Sequence, residues 1–104
     1  MPGQRSSINQ LGDLQRRVME IVWELHEASV SQVRDRVNNE GGKQLAYTTI
    51  LTVMQKLERA NWLTHRAEGR TYFYRAERSR EEAETASVRT FLNQVFAGNP
   101  LEMF

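Results

Sequence analysis

The residues with the clearest chemical potential lie along one side of the segment from Tyr47 to Trp62. This side carries hydroxyls, an amide and cations but no carboxylate, and its members at helical spacing are Thr48, Thr52, Gln55, Lys56 and Arg59. DNA phosphates repel carboxylates, and base edges form hydrogen bonds with amide and hydroxyl groups. The pattern therefore predicts a helix that enters the major groove of duplex DNA. The alternative is a solvated helix face that happens to lack acids.

An apolar stripe on the opposite side of this segment indicates how the helix is anchored. Ile50, Val53, Met54 and Leu57 follow one another at i, i+3, i+4 and i+7. Such spacing forms a single face that packs against a core. Glu58, the only acid in the segment, falls at one flank.

Individual roles on the polar face follow from side-chain chemistry. The residues predicted to contact base edges are Thr48, Thr52 and Gln55. Lys56 is predicted to bind a phosphate rather than to read sequence. Thr49 and Tyr47 stand at the helix start, where backbone N–H groups and hydroxyls can hold a phosphate. For Tyr47, packing beneath the helix is an open alternative.

A hairpin carrying two arginines is predicted to follow this helix. Strand-like runs at 62–67 and 71–76 flank the short link Glu68-Gly69-Arg70, in which the glycine can take a positive φ. We predict that Arg66 and Arg70 lie over the adjacent minor groove or the DNA backbone. Arginines on a solvated hairpin are the alternative.

Three consecutive aromatic residues occupy the second strand of this hairpin. Tyr72 and Tyr74 share one face of the strand, and Phe73 takes the other. Alternating aromatics stack single-stranded bases in some RNA-binding sheets, but two short strands provide too small a platform. At least two of the rings are therefore predicted to close the core.

No other set of residues has the spacing of a catalytic or metal site. The chain contains no cysteine, which excludes disulfides, thiol nucleophiles and thiolate metal sites. His26 and His65 are far apart and have no third ligand at a recognised spacing. The acids Glu81, Glu82 and Glu84 complement the dipole at a helix start. We predict that the chain is not an enzyme and binds no metal or cofactor.

Composition and charge are those of one ordinary globular domain. The 104 residues are 39% hydrophobic and 26% charged, with a formal net charge of +1. Affinity for a nucleic acid must therefore come from the placement of charges, and arginines at positions 66, 70, 75 and 78 precede the glutamates of the next segment. The chain has no apolar run of membrane-spanning length and no signal-peptide core, so we predict a cytoplasmic protein without membrane insertion.

The order of predicted elements is that of a winged helix-turn-helix domain, a mainly α (α+β) fold. The first helix is capped by Asp13 and runs to about Glu27, and a short strand follows at 28–30. The second helix is capped by Ser31 and ended by turn formers at 38–42. The third helix runs from Tyr47 to about Ala60, and the hairpin comes after it. We predict a flexible arm at residues 1–10, the winged domain at 11–78 and a C-terminal dimerisation region at 79–104.

This C-terminal region contains a second apolar stripe. After a helix start capped by Ser79, the stripe comprises Val88, Phe91, Leu92, Val95 and Phe96. Because the first three helices and the hairpin already supply a core, we predict that the stripe meets a second copy of the chain. The alternative is that it folds back on its own domain. Gly98 is predicted to end this helix, and Asn99 and Pro100 to cap and begin a new one. The sequence stops one turn later, too short for a stable helix, so we expect a piece of a longer protein.

These motifs together resemble the penicillinase and methicillin-resistance repressors, the BlaI/MecI/CopY type. The matching residues are Leu11-Gly12-Asp13-Leu14, Val18-Met19, Trp23, the run Ala46-Tyr47-Thr48-Thr49-Ile50, Thr52-Val53-Met54, Leu57, Tyr72-Phe73-Tyr74, Phe91-Leu92 and Gly98. The resemblance covers roughly residues 11 to 100. It implies a homodimeric winged-helix repressor that binds a dyad-symmetric operator in double-stranded DNA and dimerises through C-terminal helices.

The resemblance also implies regulation and assigns residues. In several family members a membrane sensor-transducer triggers cleavage of the repressor. In copper-responsive members a C-terminal cysteine pair binds metal, and the absence of cysteine here argues against that branch. The operator-reading positions of the family correspond to Thr48, Thr49, Leu51, Thr52, Gln55 and Lys56. Leu51 stands where other members have a basic residue, and Gln15 replaces a usual acid, which we interpret as a surface change.

Two functional hypotheses from different classes follow. The first is a sequence-specific transcriptional repressor, released by an inducing signal of the antibiotic-responsive type. The second is a winged-helix module for protein association, with the hairpin and the C-terminal stripe as contact surfaces. A winged-helix regulator with a small-molecule inducer ranks lower, because no pocket-lining polar set is evident.

Overall fold

The computed structural model describes residues 11–85 of the chain. Its helices are α1 (Asp13–Leu25), α2 (Val30–Asn39) and α3 (Tyr47–Arg59), and its strands are β1 (Ala28–Ser29), β2 (Leu63–Glu68) and β3 (Thr71–Ala76). Residues 80–85 are helical as well. The predicted arm at 1–10 and the predicted dimer residues Val88, Phe91, Leu92, Val95 and Phe96 lie outside the described residues.

The three helices and the sheet enclose one core, and α3 is fixed to it by its apolar face. Ile50, Met54 and Leu57 are at most 1% exposed, and they pack with the inward side chains of α1 and α2. Val53, the fourth member of the predicted stripe, is partly buried against the same cluster. Since burying such side chains is the main favourable term in folding, this stripe determines which side of α3 remains in water.

The sheet is antiparallel with the strand order β1-β3-β2. Strands β2 and β3 form the predicted hairpin, and Glu68 pairs with Thr71, so the loop consists of Gly69 and Arg70 alone. Gly69 has a φ of +63°, a conformation that a two-residue hairpin loop needs and that a side chain would strain. This hairpin is the wing of the predicted winged helix-turn-helix arrangement.

Two predicted helix boundaries were wrong. Helix α1 ends at Leu25 instead of about Glu27, because His26 adopts a positive φ of 69° that interrupts the helix. It also begins one residue earlier than an Asp13 cap would require: Gly12 is the cap and Asp13 the first helical residue, and Gln15 Oε1 accepts a hydrogen bond from the Gly12 N–H (3.0 Å).

The start of α2 also differs from the prediction. Its N-terminal cap is Ser29 and not Ser31. The Ser29 hydroxyl accepts from the Gln32 N–H (3.2 Å), and the Gln32 amide oxygen accepts from the Ser29 N–H (2.8 Å). This reciprocal pair is a capping box, and pairing of Ser29 with Phe73 holds the residue in extended backbone just before the helix.

The predictions for the aromatic residues of β3 and for Arg78 were also wrong. Of the three consecutive rings, only Tyr74 is fully in the core; Tyr72 is 50% exposed and Phe73 is half-buried. The prediction that at least two rings close the core was therefore wrong, because Tyr72 pairs with Ala67 near the exposed hairpin loop and Phe73 lies on the opposite face of β3 from Tyr74. Arg78 does not belong to a surface arginine cluster, since it is only 2% exposed.

Candidate nucleic-acid interface

The outer side of α3 is an exposed polar surface without acids. Thr48, Thr49, Thr52, Gln55 and Lys56 are all exposed, which is where helical periodicity placed them. Among the described residues, none of the ion pairs involves Lys56. This ammonium group therefore keeps its full charge available to an anion, while its neighbours offer hydroxyl and amide groups to base edges.

The one acid of α3 is turned towards the wing and held there. Both oxygens of Glu58 lie within 2.9 Å of His65 Nδ1 on strand β2. The His65 ring stacks at a tilt on Tyr72 and Tyr74, with centroid distances of 4.5 and 5.2 Å. Burial, and then the negative charge of Glu58, raises the pKa of the Tyr74 phenol, so the ring stays neutral. The carboxylate is thus bound at the flank of α3 rather than on the polar face.

The N-terminus of α3 is open to an anion. Its cap residue, Ala46, has no side chain that could accept a hydrogen bond from the first-turn N–H groups, in contrast to the Ser29 box of α2. Tyr47, at the first position, is 44% exposed and therefore does not lie buried beneath the helix. Uncapped N–H groups at the positive end of a helix dipole form a favourable site for phosphate.

A groove runs between α3, the start of α2 and the wing. It brings together four residues predicted from the sequence as DNA contacts, which are Tyr47, Leu51, Gln55 and Arg70. The same groove is also lined by Ser29, Ser31, Thr71 and Tyr72, which no pattern in the sequence indicates as interface residues. Their hydroxyls could have been identified only from the pairing of β1 with β3, which joins residues more than forty positions apart.

The two arginines of the wing have different surroundings. Arg70 is exposed in the hairpin loop and, among the described residues, forms no ion pair. Arg66 instead makes a two-pronged contact with Glu27, with Nε and Nη2 2.8 and 2.9 Å from its carboxylate oxygens, and its guanidinium lies 4.9 Å from the Phe73 ring centroid. The Arg70 guanidinium therefore has no carboxylate to leave among the described residues, whereas Arg66 would have to leave Glu27 before it could meet a phosphate.

The contact between Glu27 and Arg66 leads to a testable pH dependence. The hydrogen bond from Arg66, followed by its positive charge, lowers the pKa of Glu27 below the ordinary value of 4.5, and the same pair raises the pKa of Arg66. Because the carboxyl pKa is lower in the folded state, the pair stabilises the fold fully above 4.5 and loses this contribution as the pH falls through the lowered pKa. Both groups are exposed, so the contribution is small.

An NMR titration of the Glu27 carboxyl carbon would measure this shift. We expect a midpoint below 4.5 that returns towards 4.5 in Arg66→Gln. Arg70→Gln is the matched control, because it removes a wing arginine that does not contact Glu27. A midpoint that stays low in Arg66→Gln would show that another group holds the carboxylate.

Other types of site receive no support from the described part of the chain. Residues 11–85 contain no group of three or more histidine, cysteine, aspartate or glutamate side chains that could hold a metal ion. Within the same residues, no helix is both long enough and apolar enough to cross a membrane.

Comparisons with known proteins agree with this geometry. The sequence profile of the family described as "Penicillinase repressor" matches residues 11–104. The "Transcriptional regulator BlaI" of Mycobacterium tuberculosis is 33% identical over 78 residues, which are 74% of this chain and 55% of that protein. The same figures hold for the protein of a second strain. This chain thus aligns with about half the length of the curated relatives.

Two solved structures resemble the fold. The solution structure of the DNA-binding domain of the repressor BlaI superposes with a TM-score of 0.62 at 22% identity, covering 76% of this chain and 93% of the domain. HlyU from Vibrio cholerae N16961 superposes with a TM-score of 0.51 at 20% identity, covering 83% of each chain. At these identities the likeness shows the fold alone, and it confirms the winged-helix prediction.

Proposed function

Since the chain belongs to the penicillinase repressor family, a family of transcriptional repressors and not of enzymes, we propose that it represses transcription as a homodimer on a dyad-symmetric DNA operator. The observation that carries this proposal is the outer side of α3. It is exposed, free of acids and uncapped at its N-terminus, and its opposite side is anchored in the core. An exposed face without acids lets a helix approach base edges and phosphates, and a free N-terminus favours a phosphate.

Each contact residue has a separate role in the proposed complex. Thr48, Thr52 and Gln55 read base edges, and Leu51 offers an apolar contact such as a thymine methyl requires. The phosphate contacts come from the start of α3, from Lys56 and from the wing, through Tyr47, Thr49, Arg66 and Arg70. Ser29 and Ser31, on the far wall of the groove, extend this set on one flank.

The proposal extends to assembly and regulation. The apolar stripe from Val88 to Phe96 forms the dimer interface, and two copies of α3 then meet successive major grooves about one helical turn apart, or a multiple of it. The protein works in the cytoplasm and is released by an inducing signal, through a membrane sensor-transducer in the antibiotic-responsive form of the pathway. The resemblance stated from the sequence supports these points.

Two alanine substitutions on α3 should separate phosphate binding from base reading. Lys56→Ala is expected to weaken binding to all duplexes and to lower the slope of log affinity against log salt by roughly one unit, because one phosphate contact is lost. Gln55→Ala is expected to cost about 1–3 kcal/mol on the preferred duplex and to relax base preference there. Fluorescence anisotropy on a selected and a scrambled duplex, at two salt concentrations, measures both effects.

One control variant and two possible outcomes decide how the result of this titration is interpreted. Arg17→Ala, on the exposed surface of α1, removes one positive charge away from α3 and should leave the base preference unchanged. Equal affinity of the unmodified protein for both duplexes would contradict the sequence-reading role. Absence of any salt-dependent DNA affinity would favour the alternative, a winged-helix module for protein association.

A further inference from the structure

The segment that leaves the wing is fastened to the winged domain at two successive residues. The Glu77 N–H donates to the Trp62 carbonyl oxygen (2.9 Å), and the Trp23 indole Nε1–H donates to the Arg78 carbonyl oxygen (2.8 Å). Trp62 directly precedes β2, and Trp23 belongs to the last turn of α1. Two separate elements therefore hold the backbone where the chain turns towards its C-terminal region.

The side chain of Arg78 adds a third attachment. Its guanidinium carbon lies 3.9 Å from the centroid of the Trp62 ring, and the residue is 2% exposed. A cation over an indole face is attracted by the ring quadrupole, most strongly when water is excluded. Among the described residues the Trp62 N–H has no acceptor, and the face of the buried ring lies against the Arg78 guanidinium.

The helix at 80–85 begins directly after these attachments and is itself fixed. Ser79 and Glu82 form a capping box, with the Glu82 N–H donating to the Ser79 hydroxyl (3.0 Å) and the Ser79 N–H to the Glu82 carboxylate (2.8 Å). Ala83 is fully buried in the domain core. The Arg80 guanidinium lies 5.2 Å from the Trp23 ring centroid. These contacts together fix the direction of the helix at 80–85 relative to α1.

We propose that Trp23 and Arg78 are positioning residues that fix the angle between the helix at 80–85 and α3, and so select the distance between operator half-sites. The inference rests on the proposed homodimer. If each reading helix is joined rigidly to the dimerisation region, the two copies of α3 are held at one separation and match one half-site spacing. A flexible tether would accept a range of spacings, since its ends sample many separations.

Rigidity of this junction can be measured within a single chain. Because the protein contains no cysteine, Asn39→Cys with Thr85→Cys introduces two unique spin-label sites, both exposed, on α2 and at residue 85. Labelled chains are diluted with unlabelled ones, and the distance distribution is recorded by pulsed EPR. We expect one narrow distribution, which broadens at least about twofold in Trp23→Phe because the indole donor is lost.

Two further variants make this measurement decisive. Tyr72→Phe, which removes a polar hydrogen from an exposed ring outside the junction, should keep the narrow distribution. Trp62→Phe reduces the surface under Arg78 without breaking a hydrogen bond of the indole, and serves if Trp23→Phe does not fold. A broad distribution in the unmodified protein, or a narrow one in folded Trp23→Phe and Trp62→Phe, would overturn the proposed clamp.

The consequence for DNA is tested with synthetic duplexes. The full chain first selects a half-site from a random-sequence pool of duplexes. Duplexes with two inverted copies of this half-site are then built, and the spacing between the copies is made two base pairs shorter or longer than the spacing that binds most tightly. The unmodified protein should lose about tenfold or more in affinity when the spacing changes, about 1.4 kcal/mol, whereas Trp23→Phe should lose less than about threefold. The affinity of Trp23→Phe for a single half-site should stay within about twofold of the unmodified protein, and Arg17→Ala, outside both the junction and the groove, should keep the original spacing ratio.

The outcomes distinguish this inference from the proposed function. If the unmodified protein binds the half-site but shows no spacing preference, or if Trp23→Phe keeps the full preference, the positioning role is overturned while DNA binding stands. If no duplex is enriched from the pool, the proposed function fails and spacing selection fails with it. The distance distributions then still decide whether the clamp exists.

Discussion

Gln55→Glu is expected to lower the affinity for the preferred duplex by about 100-fold or more. The substitution keeps the size of the side chain but replaces an amide donor with a negative charge on the exposed face of α3. A lost base contact costs about 1–3 kcal/mol, and a carboxylate facing DNA adds repulsion worth up to several kcal/mol. Together these exceed the roughly 2.7 kcal/mol that corresponds to 100-fold. Anisotropy titration at fixed salt measures the loss.

The matched control for this charge change is Asn39→Asp. It alters the net charge by the same amount at the exposed end of α2, outside the groove. Long-range repulsion should weaken its DNA binding only slightly, because charges separated by more than about 10 Å are screened at 0.1 M salt. Similar losses in the two variants would mean that position 55 has no direct contact with DNA.

Ile50→Ala is expected to lower the free energy of unfolding by about 2–5 kcal/mol. Ile50 is fully buried in the core, so its truncation removes apolar contacts and leaves a cavity. Because a domain of this size is stable by only about 5–15 kcal/mol, the variant should unfold at clearly lower denaturant concentration. Urea unfolding followed by tryptophan fluorescence and by circular dichroism measures the change.

Thr52→Ala, on the same helix, is expected to affect DNA binding rather than the free energy of unfolding. Thr52 is exposed on the polar face, and its truncation should change the free energy of unfolding by no more than about 0.5 kcal/mol while weakening DNA binding. The pair tests the division of α3 into an anchoring side and a reading side. If Thr52→Ala were as destabilising as Ile50→Ala, or left DNA binding unchanged, that division would be wrong for this position.

Much of the fold follows from local patterns that a sequence displays directly. The positions that alternate between core and solvent in α3 are set by the 3.6-residue period, so the buried stripe and the exposed polar side could be predicted residue by residue. The Gly69 turn, the Ser79 cap and the order of helices and strands follow from equally short-range chemistry. The winged-helix prediction succeeded because its signals lie within single elements.

Contacts between distant residues could not be predicted in the same way. Arg66 and Glu27 are 39 positions apart, and Trp23 and Arg78 are 55 positions apart. From the sequence, both arginines belonged to one basic cluster, but one is bound to a carboxylate at the surface and the other is buried over an indole ring. Whether Arg66 or Arg78 reaches water depends on how β2 and the end of β3 pack against α1.

The sequence by itself therefore determined which side of α3 is buried and which polar residues stay exposed on the other side, because both properties repeat along one helix. Only the tertiary structure decided which arginines remain unpaired among the described residues, which hydroxyls join α3 in the groove, and the direction of the helix at 80–85. These features depend on strand pairing and on side chains that meet across the core. No periodic pattern in the chain encodes where two distant elements will touch.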